Sequence, residues 1–238
     1  MKTKYLALLI LLTAIVGGLS SCMLNCVHGS GSEATESRKV TDFSRIDISG
    51  GFNVVLKQDS SLTLKITADD NLLKYIKTNV SGGRLHIYTR RNLCNGGHMN
   101  IYIGIRNLEE LKASGGIEVQ SEGKIVTGDM HFKLSGATRI TMDINAANVT
   151  TRGSGSTELN LKGQATSHTI DLTGSGKVNA LDFVVGNCDI QTTGVGECNV
   201  NVLHSLNINS TGASDVKYRG NPNVTEHKAG ASSVEKVN

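Results

Sequence analysis

Two arrangements of apolar residues divide the chain. From Tyr5 to Gly18 they are nearly continuous: Leu6 to Leu12 run without a break, and Ala14, Ile15 and Val16 follow Thr13. Beyond about residue 40 they alternate with other residues instead, as in Ile46 and Ile48, Leu62, Leu64 and Ile66, Leu85 and Ile87, and Ile101, Ile103 and Ile105. Side chains on a strand point to opposite faces in turn, so this alternation predicts half-buried β-strands. Between them, the stretch from Asp69 to Ile76 predicts one short helical turn, and Gly82-Gly83 a tight connection between strands.

From residue 111 onward the pattern recurs. A hydroxyl residue, Gly, a small residue, two variable positions and an aliphatic come round repeatedly, as in Ser114-Gly115-Gly116-Ile117-Glu118-Val119 and Ser135-Gly136-Ala137-Thr138-Arg139-Ile140. Further copies centre on Gly155, Gly174, Gly194, Gly212 and Gly230, and an early one on Gly50. From Gly115 to Gly230 the spacings are 21, 19, 19, 20, 18 and 18. Helical repeats are longer and tolerate this Gly and β-branched content poorly, and the Leu/Asn consensus of leucine-rich repeats is missing. The period suits one coil of a solenoid stacked on the next at the interstrand spacing. The expected fold is all-β, a β-solenoid with coils of about 18–21 residues.

The columns of that stack set the register. Four residues before each Gly stand Leu111, Phe132, Thr151, Ile170, Ile190 and Ile208, until Glu226 breaks the series. Four after it stand Val119, Ile140, Leu159, Val178, Cys198, Val216 and Val234. Both should face inward. Three after it come Glu118, Arg139, Glu158, Lys177, Glu197 and Asp215, which should face solvent. Their signs alternate through five coils, which predicts a ladder of opposite charges. The Ser or Thr before each Gly should form a hydroxyl ladder. Gly174-Ser175-Gly176-Lys177 lacks the Walker spacing and is one more turn.

The apolar N-terminal run follows Lys2 and Lys4, is short for a membrane span, and ends in Leu19-Ser20-Ser21-Cys22. It resembles a bacterial lipoprotein signal, with Cys22 as the lipidated residue. Residues 1–21 are then the leader and 22–39 the acylated Cys with a polar, Gly/Ser-rich flexible tether. Residues 40–238 form the domain, less regular over 40–110 and regular over 111–238. Met23 does not favour inner-membrane retention, and no acidic cluster directly follows Cys22. The expected location is the cell envelope, lipid-anchored in the outer membrane, on a face that the sequence leaves open.

Composition narrows the function. Removing Lys2 and Lys4 leaves 22 basic residues (24 less 2) against 21 acidic ones, so the mature chain is nearly neutral and lacks the basic, aromatic-studded stripe of a nucleic-acid binder. Aromatics are 4% of residues, with 27 Gly and one Pro, so the core must be stacked aliphatics.

The combination resembles the adhesin head domain called the GIN domain, a domain of unknown function common in Bacteroidetes lipoproteins. The segments that carry the likeness run from Phe43 to Val54, Ala68 to Leu73, Ile76 to Val80 and Gly83 to Ile87, followed by the recurring Gly motif. The likeness covers about 40–238. It implies that the solenoid is a right-handed single-stranded β-helix and offers no catalytic residues to carry over.

Five Cys occur. Cys22 takes the lipid, and Cys26 and Cys94 have no evident partners. Cys188 and Cys198 straddle one turn as a candidate disulfide, although Cys198 fills an inward slot and a buried free thiol is the favoured reading. Cys94 and His98 flank Asn-Gly-Gly without a second ligand pair, so no metal or other cofactor is expected. Asp143, Asp171, Asp182 and Asp189 fall at different positions relative to the coil Gly and form no carboxylate cluster of the kind pectin-cleaving β-helices use. The chain is therefore read as a non-catalytic adhesion or interaction module. Its partners are the membrane, through the lipid, and an unidentified glycan or protein, with a homo-oligomer open. The alternatives are a polysaccharide-acting β-helix enzyme and a structural envelope scaffold.

Overall fold

In the computed structural model, residues 26–94 and 99–238 are described. Their structure is all-β apart from one helical turn. The elements are β1 (Val27–His28), β2 (Glu33–Arg38), β3 (Arg45–Gln58), β4 (Leu64–Asp69), α1 (Asp70–Leu73), β5 (Ile76–Ser81), β6 (Arg84–Thr89), β7 (Leu93–Cys94) and β8 (Asn100–Ile105). They continue as β9 (Glu110–Val126), β10 (Asp129–Arg219), β11 (Asn223–Gly230) and β12 (Ser233–Lys236). One mixed sheet runs in the order β11-β10-β9-β3-β8-β4-β2, and β1 pairs only with β7.

The ladder that joins β3 to β9, β9 to β10, and β10 to β11 and β12 is parallel, and the recurring glycines lie on one another. Gly50 pairs with Gly115, Gly115 with Gly136, and Gly212 with Gly230. Within β10, a Cβ added to Gly155 would sit 3.0 Å from the Gly136 carbonyl oxygen, and one added to Gly174 would sit 3.2 Å from that of Gly155. A straight strand of nineteen residues would span roughly 60 Å, so the chain must return to its own path at every repeat. Gly is required at this corner for two reasons. Its φ is positive, +80° at Gly136 and +114° at Gly194, and the backbone of the previous repeat occupies the space of a side chain.

The predicted inward columns are buried as far as Val216, and Val234 in the last repeat is half-buried. Phe132, Thr151, Ile170, Val178 and Cys198 have no exposed surface, and Glu226 is exposed as its polarity requires. The outward column forms ion pairs between successive repeats, Arg139 to Glu158 at 2.9 Å and Lys177 to Glu197 at 2.9 Å. Lys177 is thus committed to the ladder. The expected hydroxyl ladder differs: Thr173, Thr193 and Thr211 are exposed, and the hydroxyl pairs form between other columns, Thr192 with Ser214 and Ser210 with Ser232, each at 2.7 Å. The positive φ of Gly turns the residue before it outward, whereas residues two before and two after face each other across the inner corner.

The register slips at another place. β9 and β10 pair at an offset of 21 up to Thr141 with Gln120, then at 19 from Asp143 with Lys124. In a later repeat Asn201 donates to the carbonyl of Leu181, twenty residues back, while Ser205 donates to Asn187, eighteen back.

The N-terminal part caps this stack with antiparallel pairs. β2 pairs with β4, β4 with β8, and β5 with β6. The β5–β6 hairpin turns through Gly82 and Gly83 at φ +56° and +71°, as the Gly-Gly pair predicts. Leu72 of α1 is fully buried, and Val40, Leu73 and Val80 pack against the core. Arg45 and His131 both lie in register with Glu110. The Glu110 carboxylate is buried there between Arg84 and Lys133, the latter 2.8 Å away. Burial pushes its pKa up, but hydrogen bonds from Lys133 and Arg84 outweigh that and hold it below the usual value.

The flexible tether is corrected by the structure. Residues 26–38 contain β1 and β2, and Cys26 forms a disulfide with Cys94, Cα atoms 5.1 Å apart. Arg38 donates to the carbonyls of Leu73 and Ile76. β2 is an edge strand whose side chains mostly meet solvent, so its polarity carries no sign of its backbone pairing. The ordered domain therefore includes residues well before Val40.

Candidate functional site

Among the described residues there is no group of three or more His, Cys, Asp or Glu able to hold a metal ion, and no helix long and apolar enough to cross a membrane. Cys22 and His98 lie outside the described residues. Cys94 is bonded to Cys26.

Cys188 and Cys198 do not form the candidate disulfide. Both are free and fully buried, and each occupies its own inward column, six before and four after Gly194. Burial pushes the Cys198 thiol up to about 12. It raises that of Cys188 as well, with the neighbouring Cys198 and Asp189 adding to the effect. Neither is a thiolate at neutral pH, so neither is a nucleophile. His168, in the same column as Cys188, stacks edge-on against Phe183 with ring centroids 5.8 Å apart. Its Nε2 lies 2.9 Å from the Thr151 hydroxyl. Burial pushes its pKa down to about 3, so it is a neutral core residue.

Two depressions lie on outward faces of the repeats. The first follows the glycine corner, a cleft of about 820 Å³ floored by small residues such as Ser156, Ser175, Ala213 and Ala231 and bordered by the charge ladder. The second is the strand face before that corner, a depression of about 450 Å³. Two neighbouring outward columns build it: Thr150, Thr169, Asp189, Asn207 and Thr225 five before each Gly, and Arg152, Asp171, Gln191, Asn209 and His227 three before. The pairing of Asn207 with Thr225 and of Asn209 with His227 fixes their alignment. Asn207 donates to Asp189 at 2.7 Å. Hydroxyl, amide, carboxylate, guanidinium and imidazole groups thus stand in rows at the interstrand spacing.

Asp171 and Asp189 line this one depression, and Asp182 lines another with Asn160, Asn179 and Asn199. Asp143 is elsewhere, 3.8 Å from Lys124. The four carboxylates are therefore dispersed except for one pair. That pair was missed because residues three and five before a Gly become neighbours only when adjacent repeats are stacked. Also missed was an amide row: Asn160 donates to Thr141 at 3.4 Å, Asn179 to Asn160 at 2.8 Å and Asn199 to Asn179 at 3.0 Å. Its signal is in the sequence, a polar residue five after each of four successive glycines.

The family model described as "Putative auto-transporter adhesin, head GIN domain" matches residues 42–222. The chain belongs to this family. Three solved structures resemble this GIN domain at the level of fold. A putative adhesin from Bacteroides fragilis NCTC 9343 is 21% identical with a TM-score of 0.84, over 89% of this chain and 100% of that one. A putative lipid binding protein from Parabacteroides distasonis ATCC 8503 is 21% identical with a TM-score of 0.72, over 89% of this chain and 99% of that one. A putative adhesin from Parabacteroides merdae ATCC 43184 is 21% identical with a TM-score of 0.68, over 90% and 100%. Among curated proteins there is no match.

Proposed function

We propose that this GIN domain is a non-catalytic adhesion module of the cell envelope, exported as a lipoprotein acylated at Cys22 and held in the outer membrane. In the same reading its repeats form a right-handed β-solenoid, which the parallel glycine column and the return of the chain at every repeat support. The observation that carries the function is the wall of aligned polar columns around Asp189, Asn207 and Asn209. A repeating wall of hydrogen-bond donors and acceptors suits a repeating polar ligand, and a glycan is the class it fits best. Aromatic platforms are missing from it, so recognition would rest on hydrogen bonds and on Arg152.

The test is a glycan array probed with the mature protein and with an Asp189→Ala/Asn207→Ala variant. Saturable binding that weakens about tenfold in the variant, the loss of one or two hydrogen bonds, is the expected result. No saturable glycan, or equal binding by both proteins, overturns it. The pairing of Asp171 with Asp189 in one depression favours a second reading, a polysaccharide-cleaving β-helix. Turnover of envelope or plant glycans that disappears with Asp171→Asn would establish that reading instead.

A further inference from the structure

The disulfide changes what an anchor at Cys22 would do. A tether running freely from Cys22 to Val40 would let the domain stand up to about 65 Å from the bilayer. The structure instead fixes the chain at residue 26. Cys26 is bonded to Cys94, the Val27 amide donates to the Asn92 carbonyl at 2.9 Å, and the Asn71 amide donates to the His28 carbonyl at 2.8 Å. Only Met23, Leu24 and Asn25 then separate the lipidated position from the cap, four residue-to-residue steps and no more than about 14 Å of chain.

The surface at that point is cationic. Lys74, Arg90 and Arg91 are exposed and form no ion pair among the described residues. They are gathered by the same elements: the Arg90 amide donates to the Tyr75 carbonyl at 3.0 Å, and Arg91 precedes the Asn92 that holds Val27. Two carboxylates share this end and keep their charges, Asp70 accepting from the Ser30 hydroxyl at 2.6 Å and Asp69 from the Gly31 amide at 3.3 Å, so the three unpaired cations outnumber them by one. Charges of this kind attract anionic headgroups only within about one Debye length, roughly 8 Å in physiological salt. A short anchor holds them in that range.

We infer that the cap is the membrane-facing end of the molecule, resting Lys74, Arg90 and Arg91 against anionic lipid headgroups while the repeats stand away from the bilayer. This rests on the proposed acylation of Cys22. The test uses the mature protein reconstituted in phosphatidylcholine vesicles, with or without phosphatidylglycerol, carrying a rhodamine lipid. A donor dye is placed through p-azidophenylalanine at position 92 in one sample and at 235 in another, leaving the cysteines untouched. Seven glycine-to-glycine steps of about 4.8 Å separate the two ends of the stack, so energy transfer from 92 should exceed that from 235 at least about twofold. Combining Lys74→Ala, Arg90→Ala and Arg91→Ala should lower the transfer from 92 on the anionic vesicles to its level on phosphatidylcholine alone. Equal transfer from both positions, or no effect of the triple variant, overturns the inference while leaving the anchor intact. Absence of the acyl mass on the Cys22 peptide overturns both.

Discussion

The repeats and the cap are stabilised by opposite strategies. Between Glu110 and Lys236 each stretch of chain packs against the copy before it, and a small set of contacts is used many times: the glycine corner, the two buried columns, the Arg139–Glu158 type of ion pair and the amide row. Between Cys26 and Ile105 almost every contact is used once. Arg38 reaches two carbonyls of the α1–β5 connection, Asp59 accepts from Ser61 at 2.5 Å, and Cys26 closes on Cys94. A recurrent structure can lose one pair cheaply but cannot tolerate a change in the element that sets the stacking. A structure of unique contacts has the reverse sensitivity. The cap nevertheless matters to the whole, because stacked repeats expose an unpaired backbone row at each end unless something covers it.

The strongest way to break this comparison is at the glycines. An added Cβ at Gly194 would lie 2.7 Å from the Gly174 carbonyl oxygen at φ +114°, whereas Gly82 in the cap hairpin has φ +56° and open space around it. Gly194→Ala should cost about 3 kcal/mol or more, left-handed strain plus overlap with backbone, and Gly82→Ala about 1–2 kcal/mol from strain alone. Denaturant unfolding of the two variants measures the difference; equal losses would mean that close approach does not govern the corner.

A second effect belongs to the repeats and depends on pH. His168 is held at about 3, below its ordinary 6.5, so the unfolded chain takes up the proton first as the pH falls. Its contribution is complete above about pH 6.5 and declines below it, with a slope approaching about 1.4 kcal/mol per pH unit. His168→Leu keeps the column apolar and should flatten that slope between pH 6 and 4 relative to the parent protein. Parallel curves for the two would show that His168 is protonated in the fold.

Ion pairs give the smallest effects and compare the junction with the repeats. Glu110→Gln should cost about 1–3 kcal/mol, because it leaves Arg84 and Lys133 short of a buried partner. In the parent, this carboxylate's contribution is present above about pH 4.5 and is lost as the pH falls through its lower native value. Arg139→Ala, in the exposed ladder, should cost less than about 1 kcal/mol, and less still in high salt. A larger loss at Arg139 than at Glu110 would reverse the contrast.

What could be read from the sequence follows the same division. Phe132, Ile170 and Val178 were identifiable as core because their neighbours in the stack are also neighbours in a periodic pattern, and the outward position of Glu158 and Lys177 followed from adjacency. The Asn160–Asn179–Asn199 row was equally periodic. The wall around Asp189 needed one step more, since two columns with different offsets become one surface only after alternate residues are placed on the same strand face. Nothing periodic foretold the Cys26–Cys94 bond or the burial of Glu110. Each joins residues at arbitrary separation, 68 in the case of the disulfide. β2 was invisible for another reason: an edge strand held by its backbone owes little to the identity of its side chains.

The slips of register have a consequence for how such a molecule can change. Two changes of repeat length are taken up away from the glycines, from 21 to 19 residues between Thr141 and Asp143 and from 20 to 18 between Asn201 and Ser205, while the glycines stay aligned. Insertions there leave every stacked column intact. The fold thus has a flank open to lengthening and diversification, set apart from the corner on which its continuity depends.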